Sequence, residues 1–302
     1  PGPGEVLVRV AACGVGYVDA LIALGRYQVK PPLPHTPGSE VAGVIEALGE
    51  GVTGPGVGQR VMAQARGGFA ELTIAPAATA TPIPDRMSFD QAAGFRINYL
   101  TALHGLTDRA ALQPGERLLV TGAAGGLGMS AVQVGALLGA RVIACASTPE
   151  KRAFALANGA AEAIDAGGDD SRGWRERLKA LCEGGGPDVV FDPVCGPIFE
   201  AAFRSLAWRG RHLVAGFAGG PIPALPANLT LMKGASLTGV DTRQFMLFER
   251  KRAAEHMKTL LDWVAEGRLV PPVGRAFALD DYASALDFAL SGTGMGKTVL
   301  RP

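Results

Sequence analysis

At 302 residues the chain exceeds the usual length of one domain, which predicts two. A hydrophobic fraction of 48%, a charged fraction of 19% and a net charge of +1 with no basic block describe a compact protein with a large core and no nucleic-acid or membrane-surface partner. No apolar run approaches the ~18 residues that span a bilayer; no targeting segment is read, although the chain begins at Pro1 without Met. Cys13, Cys145, Cys182 and Cys195 form no CxxC pair and predict free thiols in a reducing cytoplasm.

Residues 5–12 alternate as a strand and 18–24 follow with helical character, before a rigid proline connector at 31–37. Further short strands at 41–48, 59–63 and 69–74, with Gly and Pro turns between them, suggest a small β-barrel or sandwich. Helical patterning then runs through 91–111. Strands follow at 117–121, 141–146, 162–164, 188–191, 212–215 and 236–240, with helices at 129–138, 149–158, 171–182 and 197–206. This is the α/β alternation of a doubly wound, six-stranded parallel sheet. One long helix at 248–266, a strand at 273–278, a helix at 280–290 and a last strand at 297–300 have no sheet of their own. They are expected to return to the N-terminal strands, making the first domain discontinuous.

Between the strand at 117–121 and its helix lies Gly122-Ala123-Ala124-Gly125-Gly126-Leu127-Gly128. Glycines there permit a sharp turn and let a helix N-terminus meet a phosphate with no side chain in the way. The string Ala123-x-Gly125-x-x-Gly128 is weak alone; strand before, helix and second strand after are the context that makes it a dinucleotide fingerprint. The second strand ends in Cys145-Ala146-Ser147-Thr148, without the acidic residue that bonds a ribose 2′-hydroxyl and repels a 2′-phosphate. Ser147, Lys151 and Arg152 are instead suited to a phosphate, which predicts NADPH over NADH by tenfold or more, about 1.4 kcal/mol. Ser147 as an ordinary helix cap is the alternative.

The chain resembles the medium-chain dehydrogenase/reductase superfamily and, within it, the zinc-independent quinone oxidoreductase family. The residues that carry the likeness are Ala12-Cys13-Gly14-Val15 with Asp19, Gly25-Arg26-Tyr27, the block Pro37-Gly38-Ser39-Glu40-Val41-Ala42-Gly43, Val57-Gly58-Gln59-Arg60-Val61, Tyr99-Leu100-Thr101-Ala102, the glycine turn, and Gly296-Lys297-x-Val299-Leu300. The resemblance implies a GroES-like β-rich domain of residues 1–98 and 245–302, with a strand or two of it missing before Pro1, and a Rossmann domain of residues 99–244. Where zinc-dependent relatives place a cysteine and a histidine on the catalytic metal, this chain has Gly16 and Ser39, neither a strong zinc ligand. The relatives' structural zinc lobe has no room between Arg60 and Phe69. His35, His104, His212 and His256 show no paired ligand spacing and are expected to be packing or surface residues, so no metal is predicted.

By the same resemblance the dinucleotide meets Tyr27, Thr101, Ala124, Gly125, Gly126, Leu127, Gly128, Gly216, Phe217, Val240, Asp241 and Lys297, besides Ser147, Lys151 and Arg152. Asp192-Pro193 is open between site and turn. Without a Lewis acid, alcohol oxidation is not expected; a quinone or enone spreads the hydride's charge over a conjugated oxygen and needs little more than positioning and a hydrogen-bond donor. Tyr27 is the candidate catalytic donor, or else an aromatic that only packs. Gly16 stands where the family commonly has Asn and enlarges the pocket. Arg96 is expected at the surface rather than as a substrate anchor, and Cys195 as a small buried residue where glycine is usual. A 2-enoyl thioester reductase and a non-enzymatic nucleotide-binding or RNA-binding protein are the competing functions. A homodimer is expected from the resemblance and from an exposed edge strand at 236–240.

Overall fold

Val6, Val8 and Val10 are buried while Arg9 is exposed, the period of two that makes Glu5–Val15 a strand, β1. The computed structural model describes residues 1–167 and 170–302. It divides into two compact units, Pro1–Arg96 with Thr259–Pro302, and Ile97–Lys258.

In the first unit, β1 is followed by α1 (Tyr17–Ala23), β2 (Glu40–Leu48), β3 (Arg60–Gln64), β4 (Leu72–Pro76), β5 (Thr81–Pro82) and α2 (Phe89–Ala93). The strand expected at 69–74 begins later, because Gly68 and Phe69 donate their amides to Gly38 and Pro37 and hold that end of the segment on the Pro37 turn. The C-terminal strands join the same sheet. Its order is β12-β13-β1-β2-β3-β5, with β4 also on β1, where β12 is Val273–Ala278 and β13 is Lys297–Arg301. Cys13, Gly14 and Val15 pair with Leu300, Val299 and Thr298, which explains why β1 outruns its expected end at residue 12. Val6, Val8, Val41, Ile45, Val61, Phe277 and Leu300 close the core of this unit.

The second unit is built on β6 (Arg117–Thr121), β7 (Arg141–Cys145), β8 (Glu162–Ile164), β9 (Val189–Asp192), β10 (Arg211–Val214) and β11 (Ser236–Gly239). All pairs are parallel, in the order β11-β10-β9-β6-β7-β8. Chain direction across the sheet therefore reverses between β6 and β9, the crevice where doubly wound sheets bind their ligands.

Helix α3 (Arg96–His104) leads into this unit; between its strands run α4 (Gly126–Leu137), α5 (Pro149–Ala157), α6 (Ser171–Leu181), α7 (Phe199–Ser205) and α8 (Asn228–Lys233), and after β11 come α9 (Thr242–Phe248) and α10 (Arg250–Ala265). Helix α11 (Tyr282–Ser291) belongs to the first unit.

Three helical expectations are corrected. The stretch 91–111 is broken at Gly94, where a Cβ would lie 2.1 Å from the Cγ of Lys297, and it ends in a π-helical turn, Gly105–Arg109. The long helix expected at 248–266 is α10, Arg250–Ala265, and starts two residues late because a short helix not expected, α9, precedes it: Asp241 caps α9 by accepting the Gln244 amide at 3.0 Å, and Glu249 leaves helical geometry between the two. The fingerprint helix begins at Gly126, three residues before the apolar period at 129 that marked it.

Candidate active site

Thr121 ends β6 and the chain turns at Gly122, whose φ of +56° favours glycine. The amide of Ala123 donates to the Cys145 carbonyl at 3.2 Å and that of Gly125 to Gly122 at 3.0 Å, so the turn is tied to the ends of both β6 and β7. A Cβ at Gly128 would stand 2.1 Å from the Gly122 carbonyl oxygen, and that contact sets how closely α4 approaches the turn. At Gly125 a Cβ would meet only the Gly122 oxygen, at 3.5 Å. Gly125 caps α4 with no side-chain hydrogen bond, so Gly126, Leu127 and Gly128 present the first-turn amides of a 12-residue helix at the sheet's switch point. Ala124 is buried in the turn itself.

At the end of β7 the helix cap is Thr148, not Ser147: its hydroxyl accepts the Lys151 amide at 3.3 Å. Ser147 is left exposed in the turn. Arg152 bends back over that turn, its Nη1 donating to the carbonyls of Ala146 at 3.1 Å and Ser147 at 3.5 Å. Burial lowers the Lys151 pKa. An exposed hydroxyl, a guanidinium and a lysine thus share the end of a strand that carries no carboxylate, though Glu150 occupies the helix's first turn.

Across the switch point sits Asp192, left open by the sequence and only 1% exposed. Its Oδ1 accepts the Thr121 hydroxyl and the amides of Val194 at 3.0 Å and Cys195 at 2.7 Å; its Oδ2 meets Nε2 of His212 at 3.0 Å. Burial pushes this carboxyl up, but His212, Thr121 and the Cys195 amide outweigh it and the pKa is lowered. A carboxylate can only accept, so Nε2 of His212 carries the proton; its Nδ1 is buried without a partner among the rings of Phe199 and Phe203. The turn that Asp192 holds places Cys195 at φ +46°, and burial pushes its thiol up to about 12. Asp192 is therefore more than a turn residue: it ties the ends of β6 and β9 to the His212 side chain of β10. Its signal in the sequence, an Asp-Pro at a strand end, does not separate it from an ordinary turn.

The remaining predicted contacts fall on both units. Thr101 is buried and its hydroxyl is engaged internally, donating to Ile97 at 2.6 Å and paired with Thr242 at 2.5 Å. Gly216 and exposed Phe217 follow β10 over Pro193, whose carbonyl oxygen would be 3.0 Å from a Cβ at Gly216. Val240 continues the β10 ladder through its amide to Val214, and Asp241 is the α9 cap. In the first unit Tyr27 lies half-buried in the bend after α1, with no side-chain hydrogen bond among the described residues. Lys297 Nζ stands 3.8 Å from Oε2 of Glu40. Arg96, expected at the surface, is held instead: it donates to the Thr79 carbonyl at 2.7 Å and to the Thr81 hydroxyl, and burial lowers its pKa.

The histidines are also better organised than expected. His104 Nδ1 and His256 Nε2 both meet Oδ2 of Asp108, at 2.9 and 2.6 Å, while Arg252 donates to Oδ1 at 3.0 Å. These ligating atoms lie within 4.8 Å of one another, the one such trio among the described residues. Phe245 stacks on His104 at 3.8 Å. Each of the two histidines already uses its facing nitrogen on a carboxylate that also holds an arginine, so the trio is a hydrogen-bonded ion cluster.

Residues 2–85 match the family model described as the alcohol dehydrogenase GroES-like domain, and residues 126–266 the one described as zinc-binding dehydrogenase. Quinone oxidoreductase-like protein 2 of Bos taurus is 37% identical over 99% of this chain and 85% of its own length. The chain belongs to the zinc-independent, quinone oxidoreductase-like branch of the medium-chain dehydrogenase/reductases. Among solved structures, the quinone oxidoreductase of Thermus thermophilus, determined alone and with NADPH, is 35% identical over 100% of this chain and 94% of that one, with a TM-score of 0.84. A mycobacterial protein complexed with NADPH reaches a TM-score of 0.91 at 31% identity, covering 100% of this chain and 93% of the other.

A zinc ion, which the second family description brings to mind, does not fit the side chains of this reductase-family member. Gly16 offers no donor and Ser39 a weak one. Burial raises the Cys13 thiol well above its ordinary pKa, against a thiolate ligand. A Cβ at Gly16 would stand 3.4 Å from Nζ of Lys297, so an ammonium already occupies that neighbourhood.

Proposed function

We propose that this chain reduces quinones or enones with NADPH, by hydride transfer that uses no metal. The observation that carries the reading is the capless, glycine-lined start of α4 at the switch point of a 3-2-1-4-5-6 sheet, beside a β7 end where Ser147, Lys151 and Arg152 replace an acid. NADPH in two solved relatives supports it. The dinucleotide supplies the hydride. Gly126, Leu127 and Gly128 receive the pyrophosphate on their amides; Ser147, Lys151 and Arg152 receive the 2′-phosphate; Gly216, Phe217, Val240, Asp241 and Thr101 border the nicotinamide end. Thr101 and Asp241 serve chiefly by position, since Thr101 is tied to Thr242 and Asp241 caps α9. Tyr27 donates a hydrogen bond to the acceptor's conjugated oxygen.

The test is steady-state NADPH oxidation with 1,4-naphthoquinone, with an enone and with crotonyl-CoA. We expect naphthoquinone or the enone to turn over fastest and NADH to bind at least tenfold more weakly, about 1.4 kcal/mol. Equal cofactor constants would remove the NADPH assignment, and crotonyl-CoA as the best substrate would make the protein an enoyl thioester reductase. Exposed β11 and the exposed apolar side chains Leu231, Met232, Leu237 and Phe248 support a homodimer joined along that edge.

A further inference from the structure

Two carboxylates stand at the ends of β9. Just before it, Asp188 accepts the Arg117 amide at 2.8 Å and the Arg117 guanidinium at 2.9 and 3.0 Å. At its end, Asp192 reaches across the switch point instead. Its Oδ1 joins the hydroxyl of Thr121, the last residue before the Gly122 turn, to the amides of Val194 and Cys195. The turn 193–196 that is held in this way is tightly seated. Val194 carries a methyl group over the glycine turn, where a Cβ at Gly122 would stand 2.7 Å from its Cγ2. The Val194 carbonyl accepts the Gly219 amide at 2.7 Å, and that of Pro193 accepts the Ala218 amide at 3.2 Å. Gly219 has no room for a side chain, since its Cβ would lie 2.6 Å from the Gly196 Cα. Cys195 keeps its φ of +46° under these constraints.

We propose that Asp192 is a positioning residue for the dinucleotide: one buried oxygen sets the spacing between the glycine turn and the 193–196 turn, and with it the crevice that receives the pyrophosphate. The inference rests on the dinucleotide reading of the glycine turn given above. Both oxygens of Asp192 are taken, Oδ2 by Nε2 of His212 at 3.0 Å, and the residue is 1% exposed, so it acts through its neighbours and not on the cofactor itself. The glycine turn needs such a tie. Its own bonds, Ala123 to Cys145 and Gly125 to Gly122, hold it to β7 and to itself, and glycine backbone resists displacement poorly. Toward β9 it meets the bond of the Thr121 hydroxyl and the methyl of Val194, and Asp192 governs both. A crevice set to the pyrophosphate before binding spares the complex the entropy of ordering it. Asp188, tied as firmly to Arg117, lies at the end of the same strand away from the crevice and provides the comparison.

Asp192→Ala should weaken NADPH about 30-fold, read by cofactor fluorescence well below the melting temperature, while kcat for naphthoquinone at saturating NADPH stays within about threefold of wild type. Binding of 2′-AMP, which carries the adenosine and its 2′-phosphate but no pyrophosphate, should weaken less than about threefold. Asp192→Asn keeps an acceptor for Thr121 and the two amides and should hold NADPH within about fivefold of wild type. Asp188→Ala should lower the melting temperature and leave the NADPH Kd unchanged. If Asp192→Ala fails to fold, Thr121→Val removes the tie to β6 alone and should weaken NADPH about fivefold, and Thr121→Ser, which keeps the hydroxyl, should restore it. An NADPH Kd unchanged in whichever of Asp192→Ala and Thr121→Val folds, an equal loss for 2′-AMP, or an equal loss in Asp188→Ala would overturn the proposal and leave the dinucleotide reading standing. A wild type that binds no NADPH overturns that reading and the proposal together.

Discussion

Asp108 and Asp192 are each a single carboxylate answering several donors, and each makes stability depend on pH. Burial pushes Asp108 up, but hydrogen bonds from His104, His256 and Arg252 pull it down further, to about 2. Its unfolded value is about 3.9, so its contribution is fully present above about pH 4 and is lost as pH falls toward the folded value. In urea melts, Asp108→Asn should therefore unfold more easily than wild type at pH 6, with the gap closing as pH is lowered toward 3. A gap that stays constant would mean that the charge itself contributes nothing. Neither cluster was legible beforehand, since Asp108 and His256 are 148 positions apart and only tertiary packing joins them. Arg96 failed for a similar reason: nothing local announces that Thr79 and Thr81 will accept its guanidinium. The turn at Gly125 to Gly128, by contrast, was legible as a turn, because a strand before it and a helix after it gave the glycine spacing its context.

At the scale of elements, the glycine turn separates folding from binding. Gly128 lets α4 press against the Gly122 carbonyl, where an added Cβ would sit at 2.1 Å from backbone that cannot move aside. Gly125 faces outward with one ordinary contact at 3.5 Å. Gly128→Ala should cost about 3 kcal/mol or more of stability, by displacing the helix from the turn. Gly125→Ala should leave the melting temperature within about 2 °C of wild type, yet weaken NADPH about tenfold by obstructing the pyrophosphate. Thermal melts beside fluorescence titrations separate the two, and an NADPH Kd unchanged in Gly125→Ala would remove that glycine from the site. Strands such as Arg117–Thr121 were legible because a doubly covered parallel strand is a short apolar run. The start of α4 was not, because its first turn, Gly126 to Gly128, has almost no apolar period to detect. Helix ends decided by distant groups, as Lys297 decides the break at Gly94, are equally silent in local sequence.

For the molecule as a whole, the question of assembly lies along β11. The amides of Ser236 and Val240 donate toward β10, to Gly210 and Val214. With a period of two, the backbone N–H and C=O of Leu237 between them face away from the sheet. Arg109 already caps one outward carbonyl, that of Gly239, at 3.1 Å. Leu237, 42% exposed, is thus the residue whose backbone and side chain are both offered to a second copy. Pairing two such edges would continue the six-stranded sheet across a two-fold axis and cover an edge that otherwise invites uncontrolled association. Leu237→Pro removes the outward amide while leaving the β10 ladder's own donors in place, and Leu237→Ala keeps the amide but trims the side chain. Light scattering at micromolar concentration should find the wild type and Leu237→Ala dimeric and Leu237→Pro monomeric, with NADPH binding retained in all three. A wild-type monomer under those conditions would remove the dimer, and a Leu237→Pro dimer would move the interface away from β11.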